Sequence, residues 1–280
     1  MINAFRSHVT RNCYSLLPYS AFELRRGLTD AADAGYDGVE LTENHLEGLN
    51  AIGGPKNLAR FAKDVGLPIV AAGLGIINAP ITKFDRMLET AAILGVKSII
   101  LVPPIRTFDS WENMIEMALN LEELANGYGL ELWSHAPHGA TLIETPQELL
   151  RLLEDIPNVR LCFDTGHFGL FDSDLGKAAK TFGNAIEHLH IRNLSKVGTE
   201  ILGDYLPLRS NWEIIMTLNL SFTGPQHGVL NLDSFVSTLM QSEYSGWWSI
   251  ENSRSLDSNR FEGMKSAISA LTELKGETSR

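Results

Sequence analysis

Three short stretches of this sequence end on side chains that hold cations or move protons. VRLCFDTGHFG runs an apolar, strand-like segment into Asp164, and His167 follows three residues later across a Thr-Gly turn. IEHLHIRN carries His188 and His190 two apart, on one face of a strand, with His190 nearer the end. WWSIEN closes at Glu251, with Ser249 and Trp247 on the same face. Carboxylate, imidazole and carboxylate at the ends of three successive segments form an O/N/O donor set. Such a set suits Mn²⁺, Mg²⁺, Co²⁺ or Zn²⁺ and leaves positions for substrate oxygens. Each residue also has a plainer reading: Asp164 as a helix N-cap, His190 as a hydrogen-bonded core imidazole, Glu251 as surface. The cation reading gains from the grouping, because a buried carboxylate needs a partner.

Elements that would bring these ends together recur along the chain. A helical segment stops at glycine and a short apolar run begins, around Gly35, Gly66, Gly95, Gly129 and Gly246. The first four are spaced by about the length of one strand–helix unit. Strands are expected near 2–7, 37–41, 68–73, 98–103, 130–135, 159–164, 186–191 and 247–251. Helices are expected near 20–34, 54–65, 83–94, 111–127, 146–154, 174–182, 232–241 and 260–275. Runs such as KSIILVP and LPIVAAG are apolar throughout, as in parallel strands covered on both sides. Eight strands alternating with eight helices predict an α/β fold, a (β/α)8 TIM barrel, with a doubly wound open sheet as the rival. The segment 195–231 reads as a long excursion after strand seven with a short helix near 210–217. No linker interrupts the chain, so residues 1–280 are expected to form a single domain. In such a barrel, ligand-binding groups sit at the carboxyl ends of the strands. Of eight histidines, His8, His45, His135, His138, His167 and His190 fall at or just past such ends on this placement, whereas His188 and His227 do not.

The 280-residue chain carries 23 Lys and Arg against 34 Asp and Glu, a net charge of −11. That balance argues against nucleic acid as a partner and fits a small-molecule or metal-binding protein. No apolar run reaches the roughly 18–20 residues of a membrane span, and the start lacks the pattern of a signal peptide. Two cysteines, Cys13 and Cys162, do not make a disulfide framework. The expectation is a cytoplasmic protein whose partner is a small sugar-like molecule, with neither nucleic acid nor membrane involved and a homodimer left open.

AGYDGVEL, LCFDTGH, IEHLHIRN and GWWSIEN, in that order, resemble the sugar phosphate isomerase/epimerase family with its xylose-isomerase-like barrel, related to the endonuclease IV fold. The resemblance covers nearly the whole chain. It implies one divalent metal ion bound by Glu, Asp, His and Glu from strands five to eight. Asp164, His190 and Glu251 match the last three. His167 matches the second residue of the family's Asp-x-x-His pair, which contacts substrate or a second metal. HLHIRNLS, with Asn193 where an acidic residue is more usual, is similar to the dehydroshikimate dehydratase branch. HAPHGATLIET is similar to a segment of inosose dehydratases. The departure is at strand five, where LELWSHAPHG offers His135, with His138 close behind, in place of Glu. His135 is taken as the ligand, since it follows Glu131 and Trp133 on one strand face.

An imidazole in that position breaks the two-carboxylate relay of an epimerase, so Glu251 or His135 is expected to act as the catalytic base. The expected activity is a metal-dependent isomerase or epimerase of a small sugar or keto-polyol, abstracting a proton next to a carbonyl through a metal-bound enediolate. His167, Arg192, His45, Glu40, His138, His227 and Trp133 are the expected substrate contacts. Glu40 has the alternative of a core carboxylate paired from strand one or three, and Trp133 that of core packing. The alternative activities are a dehydratase of the inosose or dehydroshikimate type and a non-catalytic sugar-binding barrel. An endonuclease-like trinuclear site would need histidines after strands three and four. Those ends, AAGLGIINAP and LVPPIRTF, have none.

Overall fold

The computed structural model describes residues 10–75, 81–196, 221–251 and 259–276. Eight parallel strands close into a barrel: β1 (Arg11–Ser15), β2 (Gly38–Leu41), β3 (Ile69–Leu74), β4 (Ser98–Leu101), β5 (Glu131–His135), β6 (Arg160–Asp164), β7 (Ile186–Ile191) and β10 (Trp247–Ile250). β10 pairs with both β7 and β1, which excludes the open sheet. Between β7 and β10, β8 (Asn193–Leu194) and β9 (Phe222–Thr223) form a small antiparallel ribbon. The described helices are α1 (Leu24–Ala34), α2 (Glu43–Gly48), α3 (Pro55–Val65), α4 (Ile81–Leu94), α5 (Trp111–Gly127), α6 (Pro146–Asp155), α7 (Thr165–Gly169), α8 (Leu175–Phe182), α9 (Asp233–Gln241) and α10 (Arg260–Leu274). None of them is long and apolar enough to cross a bilayer. The helix expected near 210–217 lies outside the described residues.

Strand alternation sorts the side chains into two cores. Val39, Ile99, Leu161, Phe163, Leu189 and Trp248 point outward into the layer between barrel and helices. Cys13, Ala71, Ile100, Trp133 and Cys162 fill the barrel interior. Behind β6, the Phe163 ring packs on Phe168 at 5.3 Å, Phe235 at 5.5 Å and Phe182 at 6.2 Å. Each such aromatic pair adds about 0.5–1.5 kcal/mol beyond its buried area. The strand that ends in Asp164 is thereby held by α7, α8 and α9.

Helix ends follow the glycine pattern at Gly35, Gly66, Gly95 and Gly129, all with φ between 72° and 90°. The fifth case differs. Glu243 takes the left-handed conformation (φ 59°) after α9. Gly246 is required by close approach instead, since a Cβ there would stand 2.3 Å from the Glu187 carbonyl oxygen.

The first strand is a further correction. The segment expected to supply it, 2–7, lies outside the described residues, and the barrel's first stave is RNCYS, residues 11–15. The segment is poor in β-branched types: Cys13 and Tyr14 are buried in the two cores, Asn12 accepts from Lys275, and Ser15 faces the cavity. His8 lies outside the described residues and precedes this strand, so the reasoning that set it at a strand end does not apply.

Candidate metal centre

A cavity of about 310 Å³ opens at the carboxyl ends of the strands, lined by Glu40, His135, His138, His167, His190, Arg192 and Glu251 among others. Strand register explains the convergence. Asp164 lies beside His190, and Ser249, two residues before Glu251, lies on the other side of His190. His135 ends β5 beside Cys162. Ligand atoms of His135, Asp164, His190 and Glu251 all fall within 4.8 Å of one another. His190 Nδ1 is 3.2 Å from His135 Nε2, 2.9 Å from Glu251 Oε2 and 3.8 Å from Asp164 Oδ2. His135 Nε2 is 3.4 Å from Asp164 Oδ2. With metal–ligand bonds of about 2.0–2.2 Å, neighbouring donors lie roughly 3.0–3.6 Å apart, so this set has the dimensions of a coordination shell.

Two further observations fit a divalent cation. Glu251 Oε2 is buried and has no well-aligned hydrogen-bond donor among the described residues, although His190 and Arg192 nitrogens lie near it. Asp164 and Glu251 meet the buried guanidinium of Arg192, and Glu40 meets only imidazoles, so three buried carboxylates are set against one fixed positive charge. With His190 neutral to serve as a ligand, the surplus is two negative charges, and with it protonated the surplus is one. Burial alone would raise the carboxyl pKa values. Arg192 and nearby imidazoles outweigh it and hold Asp164 and Glu251 well below the carboxylate range. Burial opposes charge on His190 also, but Cys162, Glu40 and Glu251 around it push its pKa up.

Asp164 satisfies both of its readings. Oδ1 caps α7 by accepting from the His167 N–H at 2.8 Å and takes Arg192 Nε at 3.1 Å. Oδ2 faces the cluster and takes Arg192 Nη2 at 2.5 Å. Arg192 is 2% exposed and lies 3.9 Å over the Phe222 ring. It lines the cavity as expected, but its fork is committed to the two carboxylates. Asn193 accepts at Oδ1 from the Leu194 and Leu230 N–H groups and donates through Nδ2 to the Leu230 carbonyl. The last bond needs an amide, which accounts for Asn where an acidic side chain was anticipated.

His138 and His167 stack with ring centres 3.9 Å apart, 34° from parallel. Gly139 joins them. Its N–H donates to His167 Nδ1 at 3.0 Å, and its carbonyl accepts from His138 Nδ1 at 3.0 Å. Burial, with the charges of neighbouring groups, pushes His138 down to about 3 and His167 well below the usual imidazole range. Both rings are therefore neutral, and the hydrogen bonds assign opposite tautomers. His138 offers a lone pair at Nε2, whereas His167 offers an Nε2–H.

Three residues expected at the site lie elsewhere, and a fourth, Glu40, lines the cavity with its carboxylate already engaged by imidazoles. His45 is buried in α2, with Nε2 on the Tyr19 carbonyl at 2.7 Å and Nδ1 accepting from the Thr42 N–H at 3.0 Å, so it caps a helix. His227 is exposed in a turn after β9 and does not line the cavity. Trp133 packs inside the barrel, 5.5 Å from the His188 ring, below the mouth. Glu40 reaches neither strand one nor strand three. Its carboxylate takes Nε2 of His188 at 2.8 Å and Nε2 of His190 at 2.9 Å.

Sequence reasoning missed His188 in this contact, and it missed Glu144. Glu144 Oε1 accepts from the Ala140 N–H at 3.0 Å, and Oε2 lies 3.4 Å from Arg106, which shapes the loop carrying His138. Ser15, Glu43 and Asn44 on the cavity wall were not foreseen either. Glu144 stood inside the quoted HAPHGATLIET. Glu43 and Asn44 followed the end of strand two and could have been found there.

A closed (β/α)8 barrel gathers two imidazoles and two carboxylates at its C-terminal mouth as a candidate metal site. The chain belongs to the xylose isomerase-like TIM barrel family, which it matches over residues 28–274. Inosose dehydratase of Bacillus cereus (strain AH820) is 26% identical over 151 residues, 53% of this chain and 49% of that protein. The chain thus spans about half the length of the curated relatives it matches. The probable 3-DHS dehydratase AsbF of Bacillus anthracis superposes with a TM-score of 0.74 at 16% identity, covering 94% of this chain and 99% of that one. The IOLI protein, solved with a bound zinc atom, gives 0.75 at 19% identity over 97% and 100% of the two chains.

Proposed function

We propose that this chain is a divalent-cation-dependent dehydratase of a small keto-polyol, with the cation held by His135, Asp164, His190 and Glu251. The bound cation supplies Lewis-acid polarisation of the substrate carbonyl, which acidifies the neighbouring C–H. The observation that carries the dehydratase reading is the stacked His138–His167 pair with opposite tautomers on one side of the cavity. His138 accepts the proton of the carbon next to the carbonyl at Nε2. As an imidazolium it returns that proton to the hydroxyl one carbon further on. The C–O bond breaks, water leaves, and a C=C bond forms in conjugation with the carbonyl. His167 donates through Nε2–H and orients the departing hydroxyl. Leu17, Ile100 and Val102 supply an apolar lining around the polar groups.

Glu251 and His135 turn their donor atoms into the cluster, so the expected base role passes to His138. Epimerisation would need bases on opposite faces of the substrate, and the paired imidazoles stand on one. The inosose dehydratase relatives and the dehydratase among the structural neighbours favour the same reading. The barrel itself does not choose a reaction. Incubating the cation-loaded protein with an inosose and other keto-polyols is expected to produce a new ultraviolet band of a conjugated enone. Interconversion of sugars without that band would mean isomerisation. No turnover with the cation bound would leave a binding protein.

The ligand assignment has its own check. His135→Glu places a carboxylate where the imidazole stands, and divalent-cation affinity is expected to stay within about tenfold. Loss of the ion in that variant, read by elemental analysis, would remove His135 from the donor set.

A further inference from the structure

Two side chains behind the centre, Glu40 and His188, are left unexplained by holding a cation or moving a proton. Glu40 is 3% exposed, sits on β2, and reaches across the barrel interior to β7. Oε2 lies 2.8 Å from His188 Nε2, and the carboxylate lies 2.9 Å and 3.1 Å from His190 Nε2. His188 is fully buried, and its Nδ1 has no hydrogen-bond partner among the described residues. We infer that Glu40, locked in place by His188, is a positioning residue that fixes which nitrogen of His190 faces the cation.

The inference rests on the cation reading above and deepens it. An ionised carboxylate only accepts hydrogen bonds, so each imidazole must present Nε2–H to Glu40. For His190 this puts the lone pair on Nδ1, the atom that faces His135, Asp164 and Glu251. The ring orientation is fixed by the same contact, and the charge behind it makes Nδ1 a better donor. His188 holds Oε2 through its Nε2, with its ring resting near Trp133. A floor-to-mouth column results: Trp133, His188, Glu40, His190 and then the donor cluster.

Glu40→Gln keeps the shape but removes the charge and sets an N–H₂ group against one of the imidazoles. The expected loss is about 10–100-fold in Zn²⁺ affinity, measured by chelator competition. Zinc-loaded protein carrying ¹⁵N-imidazole histidine is expected to show His190 protonated at Nε2 in the wild type and a mixed state in Glu40→Gln. His188→Gln, which leaves the Glu40–His190 contact in place, is expected to cost about three- to tenfold, and it carries the test should Glu40→Gln fail to fold. Unchanged affinity and tautomer in a folded variant would overturn the inference and leave Glu40 as packing. Two ions per wild-type chain, one of them lost in Glu40→Gln, would make Glu40 a ligand and overturn it as well. A wild type that binds no divalent ion overturns the cation reading together with this one. An effect missing while the ion is bound overturns this one alone.

Discussion

Asp164→Asn is expected to lose the cation and all turnover and to melt well below the wild type. Three jobs fall on this carboxylate. Oδ2 faces the donor cluster, Oδ1 caps α7, and both oxygens meet the Arg192 guanidinium. An amide retains one acceptor for the His167 N–H but brings N–H donors against Arg192 and His135. Arg192, 2% exposed, would then face only Glu251, at 3.3 Å. Breaking a buried ion pair costs about 3–5 kcal/mol, or roughly 6–20 °C in melting temperature for a domain of this size. His190→Ala is expected to lose the cation as well, while keeping the Asp164–Arg192 pair and so more of the stability. Melting curves with and without added Mn²⁺ or Zn²⁺ separate the two losses. The wild type should gain about 4 kcal/mol at a thousandfold excess over Kd, and neither variant should gain. A stoichiometric ion in either purified variant would dissolve the donor set.

His138→Gln is expected to lower turnover by about 10²–10⁴-fold while the cation stays bound. The replacement removes the lone pair at Nε2 and leaves the donor cluster untouched. His167→Gln should cost less, about 10–100-fold, because that ring orients a hydroxyl and does not carry the transferred proton. Exchange in D₂O distinguishes the roles. His138→Gln should no longer exchange the hydrogen next to the carbonyl, whereas His167→Gln should still exchange it and dehydrate slowly. Full exchange in His138→Gln would move the base elsewhere, with Glu251 the first alternative.

Asp164, His190 and Glu251 were legible in the sequence because each closes an apolar strand, and because side chains at the ends of neighbouring strands meet at a barrel mouth. His138 and His167 were legible as cavity residues but not as a stacked pair, since their joint runs through the backbone of Gly139. His45 and His227 show the limit of counting histidines near strand ends. The count says nothing of which way a ring turns, and a short helix after β2 turned His45 inward onto Tyr19. Trp133 was placed on the right face of β5 but at the wrong height, one layer too deep for substrate. The bond from Glu40 to His188 and His190 joins positions about 150 residues apart on strands that are not neighbours. No local pattern reports such a contact. The first strand was missed for the opposite reason, because Arg11, Asn12 and Ser15 interrupt its apolar pattern and it does not read as a strand.

Gly139 has a consequence for how activity could drift in descendants of this chain. The proton inventory of both stacked rings is written by main-chain atoms, which mutation of a side chain cannot directly erase. A comparison that searches for a third catalytic side chain, in the manner of a triad, would find none and pass over the pair. Reactivity here would change hands through loop length between β5 and α6, by sliding one carbonyl and one amide past the rings, with every histidine still in its place.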